Sequence, residues 1–117
     1  MRGSLTGFLL SLALCGVALA DAAAGRALYA TKCKVCHGAN GEGNPVIAKM
    51  ADVTLRPLGS KAVQRKSDAE LKKESREGPG WTLVGKNLEQ KQTSKMKPVK
   101  LTDAEAGDIV VFLRTLK

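Results

Sequence analysis

The sequence predicts an all-α chain, and three observations carry that prediction. Ser67-Asp68-Ala69-Glu70 and Thr102-Asp103-Ala104-Glu105 both match the capping box, a hydroxyl residue followed three positions later by glutamate at a helix start. Ile109, Phe112, Leu113 and Leu116 fall at i, i+3, i+4 and i+7, the stripe that one helix face buries. Strands are hard to place anywhere in the remainder.

The first twenty residues read as a secretory signal peptide. Arg2 supplies the positive start, Leu5 to Ala20 is uncharged and mostly apolar, and Ala18-Leu19-Ala20 fits the small-x-small cleavage rule before Asp21. The apolar run is shorter than the about 20 residues a bilayer span needs, so cleavage is favoured over an anchor and no stable membrane insertion is expected. Cys15 follows the large Leu14, where a lipid-attachment cysteine would want a small neighbour. The mature part, residues 21–117, is long enough for one domain. Its aromatic residues are Tyr29, Trp81 and Phe112, so the core is thin.

Ala22 to Cys33 reads as a helix with Gly25, Leu28 and Tyr29 on one face. His37 to Pro45 is a loop of glycines and asparagines closed by a proline, and Val46 to Ala51 a short helical turn. Asp68 to Glu77 is a helix stopped at Gly78. Trp81 to Lys95 is polar and aperiodic and is expected to be an extended loop. The last helix runs from the second capping box to about Leu116. Gly107 within it costs about 1 kcal/mol relative to alanine, which close packing against another helix would explain.

Between the first helix and the glycine loop stands Cys33-Lys34-Val35-Cys36-His37. This C-x-x-C-H run is the attachment signature of c-type haem: each thiol adds to one vinyl group, and the histidine that follows is held beneath the iron. Zinc would need three or four protein ligands, and His37 is the only histidine in the chain. A thioredoxin-like redox pair expects a βαβ pattern, which is not visible here. One covalent haem is therefore the expected cofactor, with Cys33 and Cys36 as its attachment points and His37 as an axial ligand. Export fits that reading, because c-haem is attached on the periplasmic side. A bound porphyrin would also supply apolar surface that the thin core lacks, so folding and haem binding should be coupled.

Composition excludes a second histidine ligand, leaving methionine, lysine, asparagine, water or nothing for the other axial position. Met50 lies in Ile47-Ala48-Lys49-Met50, which looks like core packing; Met96 lies in a proline-containing loop before the last helix and is the favoured ligand. Histidine–methionine ligation fills both axial sites, which points to electron transfer rather than catalysis.

The chain carries 19 basic and 11 acidic residues. Export argues against nucleic acid as the partner of this charge, and Lys32, Lys34, Lys95 and Lys97 flank the two proposed haem-contact segments. Such a ring of positive charge would steer acidic redox proteins.

Together these residues resemble the small class I cytochromes c over Gly25 to Leu116. The resemblance rests on Gly25 and Tyr29, on Cys33 to Gly38, on Gly41-Glu42-Gly43, on Met96 near Pro98, on Leu101 to Glu105 and on Ile109 to Leu113. It implies an all-α cytochrome c fold, with helices wrapped around one haem and one haem edge exposed. It further implies that Gly25, Tyr29 and Phe112 mark the crossing of the first and last helices, and that a loop carbonyl, here Pro45, accepts the proximal histidine's second ring N–H. Two departures stand out. Lys97 separates Met96 from Pro98, and Gly78 to Lys95 is longer than in short relatives; Trp81 within it is expected to pack on the porphyrin rim, the alternative being a loop over a haem edge or the propionates with the Trp81 N–H as donor. Lys95 and Lys97, which flank Met96, are the candidates for a lysine-ligated form at high pH. The implied function is a monomeric periplasmic one-electron carrier, not an enzyme, working between respiratory or dehydrogenase partners. The alternatives are a haem enzyme or gas sensor with an open distal site, or an electron-donating subunit of a larger dehydrogenase.

Overall fold

Asp21 opens the first helix as its N-cap, its carboxylate accepting the Ala23 N–H. The computed structural model describes residues 20–84, 90–93 and 95–117, with only the backbone described for 81–84 and 90–93. The expected signal peptide and the Trp81 side chain thus fall outside the described residues. The helices are α1 (Ala22–Lys32), α2 (Lys34–His37), α3 (Pro45–Ala51), α4 (Lys61–Gln64), α5 (Asp68–Glu77) and α6 (Asp103–Leu113), with a 3₁₀ turn at Arg114–Leu116. Both capping boxes form, on Ser67 and Thr102, each with the reciprocal glutamate bond.

The segment expected to be an extended loop holds a two-stranded antiparallel hairpin, β1 (Trp81–Val84) and β2 (Gln90–Thr93), with Trp81 opposite Thr93 and Val84 opposite Gln90. Gln90-Lys91-Gln92-Thr93 is polar throughout, so no alternation betrays it as a strand; backbone pairing across the hairpin holds it instead. Among the described residues the other regular elements are all helical.

The crossing of α1 and α6 builds the main core. Tyr29, Ile109, Phe112 and Leu113 form one buried cluster, backed by Leu28, Cys33, Leu58, Leu101 and Leu116. The Tyr29 and Phe112 rings meet at 5.0 Å with planes tilted by 53°, an inclined contact within the centroid range of favourable aromatic pairs. Gly25 permits the approach: a Cβ there would lie 1.9 Å from the Asp108 carbonyl oxygen. Gly107 has no such role, since an added Cβ would meet nothing within 4 Å. The expectation that Gly107 serves close helix packing is corrected on that ground; the close contact is made by Gly25.

A second cluster, Val63, Leu71 and Val110, joins α4 and α5 to the other face of α6. Charged contacts frame it. Arg114 donates to the Gln64 carbonyl (2.8 Å), the Lys66 carbonyl (2.7 Å) and Asp68 Oδ1 (2.8 Å), fixing the turn between α4 and α5 to the chain's end. Lys72 pairs with Asp103 at 2.8 Å, tying α5 to the start of α6.

Candidate haem site

The attachment motif continues the first helix rather than hanging from it. Cys33 bends the chain at φ −122° and ψ −33° yet keeps the ladder: its N–H donates to the Tyr29 carbonyl at 2.9 Å, and the His37 N–H donates to its own carbonyl at 3.0 Å. On a helix, residues three and four apart share a face, so this register brings Cys33, Cys36 and His37 to one side.

The loop that follows caps the motif. Gly38 ends α2 at φ +80°, a left-handed conformation that glycine adopts without strain, and its N–H reaches the Lys34 carbonyl at 2.8 Å. The Val35 carbonyl accepts from Asn44 Nδ2 (2.9 Å), the Cys36 carbonyl from the Asn44 N–H (2.9 Å) and the His37 carbonyl from the Gly43 N–H (2.7 Å). Every carbonyl from Cys33 to His37 thus has a donor, which satisfies the acceptors a helix end otherwise leaves open. Asn44 also caps α3, its Oδ1 accepting the Val46 N–H at 3.0 Å, with Pro45 at the first helical position. One side chain therefore joins the motif to the next helix. The Asn44-Pro45 pair carries the sequence signal of an N-cap, and reading it would have placed the start of α3.

The chemistry of the side chains fits a covalent porphyrin. Cys33 is half-buried, Cys36 exposed, and the two form no disulfide. Burial raises the Cys33 thiol pKa to about 11, against a smaller opposing pull from Lys32. Burial lowers the pKa of His37, so its imidazole is favoured in the neutral form that binds metal. Its Nδ1 is buried with no hydrogen-bond partner. The bond expected from His37 to the Pro45 carbonyl is therefore not made. Among the described residues no group of three or more His, Cys, Asp and Glu side chains gathers to hold a bare metal ion, which leaves the zinc reading without ligands there. Val46 and Met50, four apart on α3, are exposed apolar side chains at 63% and 78%. Met50 was expected to pack in the core and does not.

Met96 is placed by the end of α5. A Cβ on Gly78 would lie 3.0 Å from the Met96 carbonyl oxygen and 3.3 Å from its Cβ, and the Val99 N–H donates to the Arg76 carbonyl at 2.7 Å. The chain leaves α5 at Gly78, makes the hairpin, and returns to the same place with Met96 half-buried. Lys95 anchors the returning strand by donating to the Ala51 carbonyl at the end of α3. Lys32, Lys34, Lys95 and Lys97 are all exposed.

The cytochrome c family profile matches residues 22–117. The chain is also similar to cytochrome c-554(547) of Halothiobacillus neapolitanus, at 30% identity over 99 residues, covering 83% of this chain and 98% of that protein. Among the described residues no helix is long and apolar enough to cross a membrane. The match spans the helical fold, the attachment motif and the methionine loop together, and the chain belongs to the cytochrome c family, as a monohaem class I member with covalently attached haem c and a part in electron transfer.

Proposed function

We propose that the mature chain, residues 21–117, is a monomeric periplasmic carrier of single electrons between acidic redox partners, and not by itself an enzyme. Cys33 and Cys36 would hold the haem by thioethers, and His37 and Met96 would ligate its iron. The observation that carries the reading is the capped C-x-x-C-H turn: two unpaired thiols one helical turn apart, beside an imidazole with one buried, unpartnered nitrogen. When bound, the haem supplies a one-electron couple whose potential its axial ligands tune. The chain's part would be to hold those side chains still, with the exposed Lys32, Lys34, Lys95 and Lys97 available to acidic partners. The exposed Val46 and Met50 stripe on α3 offers apolar surface beside the motif.

Geometry at Asp21 supports cleavage before that residue. The Asp21 backbone nitrogen donates to Asp108 Oδ1 at 2.8 Å, so cutting there would set the new α-ammonium against a carboxylate of α6. Intact mass of the exported protein tests this; a mass that retains Leu5 to Ala20 would overturn it.

The visible spectrum of the exported protein, oxidised, reduced and then exposed to carbon monoxide, tests the ligation. A low-spin spectrum with a methionine–iron charge-transfer band and no carbon monoxide shift is expected. A high-spin spectrum or ready carbon monoxide binding would overturn the carrier and favour a haem enzyme or gas sensor.

A further inference from the structure

Tyr29 does more at the helix crossing than fill space. Its ring is 2% exposed between α1 and α6, yet its hydroxyl leaves that apolar cluster and donates to the Gly38 carbonyl at 2.5 Å. Gly38 is the residue directly after His37 and ends the motif helix with a left-handed turn. The Gly41 N–H donates to the same carbonyl at 3.3 Å. Gly41 in turn accepts the Leu58 N–H at 2.9 Å. The hydroxyl is thus the meeting point of the α1–α6 crossing, the residue after the proximal histidine, and the glycine loop that caps the motif. A buried phenol seeks a partner, but a partner on its own helix or on α6 would have served that need as well. This one lies on the segment that fixes His37.

We propose that Tyr29 is a positioning residue for the proximal side of the haem, its hydroxyl pinning the Gly38 turn so that the loop from Gly38 to Asn44 holds His37 in one orientation. The inference rests on the reading of His37 as an axial ligand. Outer partners that orient a metal-bound histidine set its basicity and ring angle. Here the control is indirect, running through the backbone rather than through the imidazole. Burial, which raises the phenol pKa to about 12, keeps the donor proton in place across the physiological range.

Tyr29→Phe in the haem-loaded protein keeps the ring and removes the pin. Phe112→Leu trims the same core without touching Gly38 and serves as the control. Two readouts separate positioning from packing. Amide hydrogen exchange at Gly41, Gly43 and Asn44 should quicken at least tenfold more in Tyr29→Phe than exchange at Ile109 and Val110. The haem-methyl proton shifts of the oxidised protein, which follow the angle of the axial imidazole, should be rearranged in Tyr29→Phe and kept in Phe112→Leu. If both variants move both readouts alike, or neither moves them, Tyr29 is a packing residue and the inference falls. The unmodified protein gives an independent check: the Tyr29 hydroxyl proton should be visible and slow to exchange in the reduced state, and a fast-exchanging one overturns the pin. Failure of the ligation reading would appear in the unmodified protein's visible spectrum, whatever the two variants do.

Discussion

Replacing Gly25 with alanine tests the helix crossing on which the rest of the fold depends. The added methyl would stand 1.9 Å from the Asp108 carbonyl oxygen, 2.4 Å from its carbon and 3.0 Å from the Ile109 nitrogen. All three are backbone atoms of α6, so no side chain can swing aside. To restore ordinary contact the helices must part by about 1.5 Å. Tyr29, Ile109, Phe112 and Leu113 are the side chains that lose contact. Burial of each stabilises by about 1.5–3 kcal/mol, and a gap of 0.5–1 Å forfeits about a quarter to a half of the contact energy. The loss over the four side chains is then about 1.5–6 kcal/mol, offset by about 1 kcal/mol from alanine's better helix propensity. A net destabilisation of about 2 kcal/mol should lower the melting temperature of a domain this size by roughly 10 °C. Gly107→Ala is the internal control: with open space around its Cβ it should gain about 0.5–1 kcal/mol. Thermal melts of the haem-loaded proteins by far-ultraviolet circular dichroism decide the matter. Melting of Gly25→Ala within about 3 °C of the parent, or an equal fall in Gly107→Ala, would refute the steric argument.

Met96→Ala should abolish the methionine–iron band and admit carbon monoxide, while Met50→Ala, at a side chain 78% exposed, should leave both features of the spectrum as they are; a retained band in Met96→Ala would sink the ligand assignment. Asn44→Ala removes the α3 cap and the donor to the Val35 carbonyl at once, and should cost about 1–2 kcal/mol in guanidinium unfolding. Asn44→Asp keeps the cap acceptor and should recover about half of that loss. The Thr102 N–H and hydroxyl hold the Glu105 carboxylate below its usual pKa. Its folded pKa lies under its unfolded one, so its contribution is full above the unfolded value and disappears as pH falls through the folded value. Glu105→Gln should therefore be less stable than the parent near neutrality and equal to it in strong acid; a gap that persists at pH 2 counts against the carboxylate as its source. Cys33→Ala with Cys36→Ala, which removes covalent attachment, should leave the mature chain without a cooperative thermal transition, because its buried clusters among the described residues are few and small.

What the sequence disclosed was local. Ser67 with Glu70 and Thr102 with Glu105 each contain, within four residues, both partners of the bonds that start a helix, and the structure forms both boxes. The attachment motif was legible for the same reason, since five consecutive residues hold its chemistry. Features that depend on distant partners were not legible. Gly25 and Gly107 are both helix-interior glycines, and only the approach of Asp108 tells them apart. The Tyr29 hydroxyl has no sequence mark that distinguishes it from a tyrosine buried for its ring alone. The polar strand Gln90 to Thr93 exists through its pairing with Trp81 to Val84, and a window along the chain cannot see a partner. Met50 misled because an apolar residue beside isoleucine and alanine looks like core, whereas α3 turns that side chain outward.

The chain between α5 and Met96 is long, and the structure shows how its two ends are held. A loop inserted between two fixed points has an entropic cost that grows only with the logarithm of its length, about 0.6 kcal/mol per doubling. What would harm the site is a shift of the points themselves. Here the points are held by contacts at the two ends of the excursion. Gly78 ends α5 at φ +78° with its N–H on the Glu74 carbonyl, and the returning chain is held by Val99 on Arg76 and by Lys95 on Ala51. The Met96 backbone lies against Gly78 itself, where a Cβ would already be at 3.0 Å. None of these contacts uses a residue of β1 or β2. The backbone around Met96 is thus tied to the end of α5 and to the end of α3.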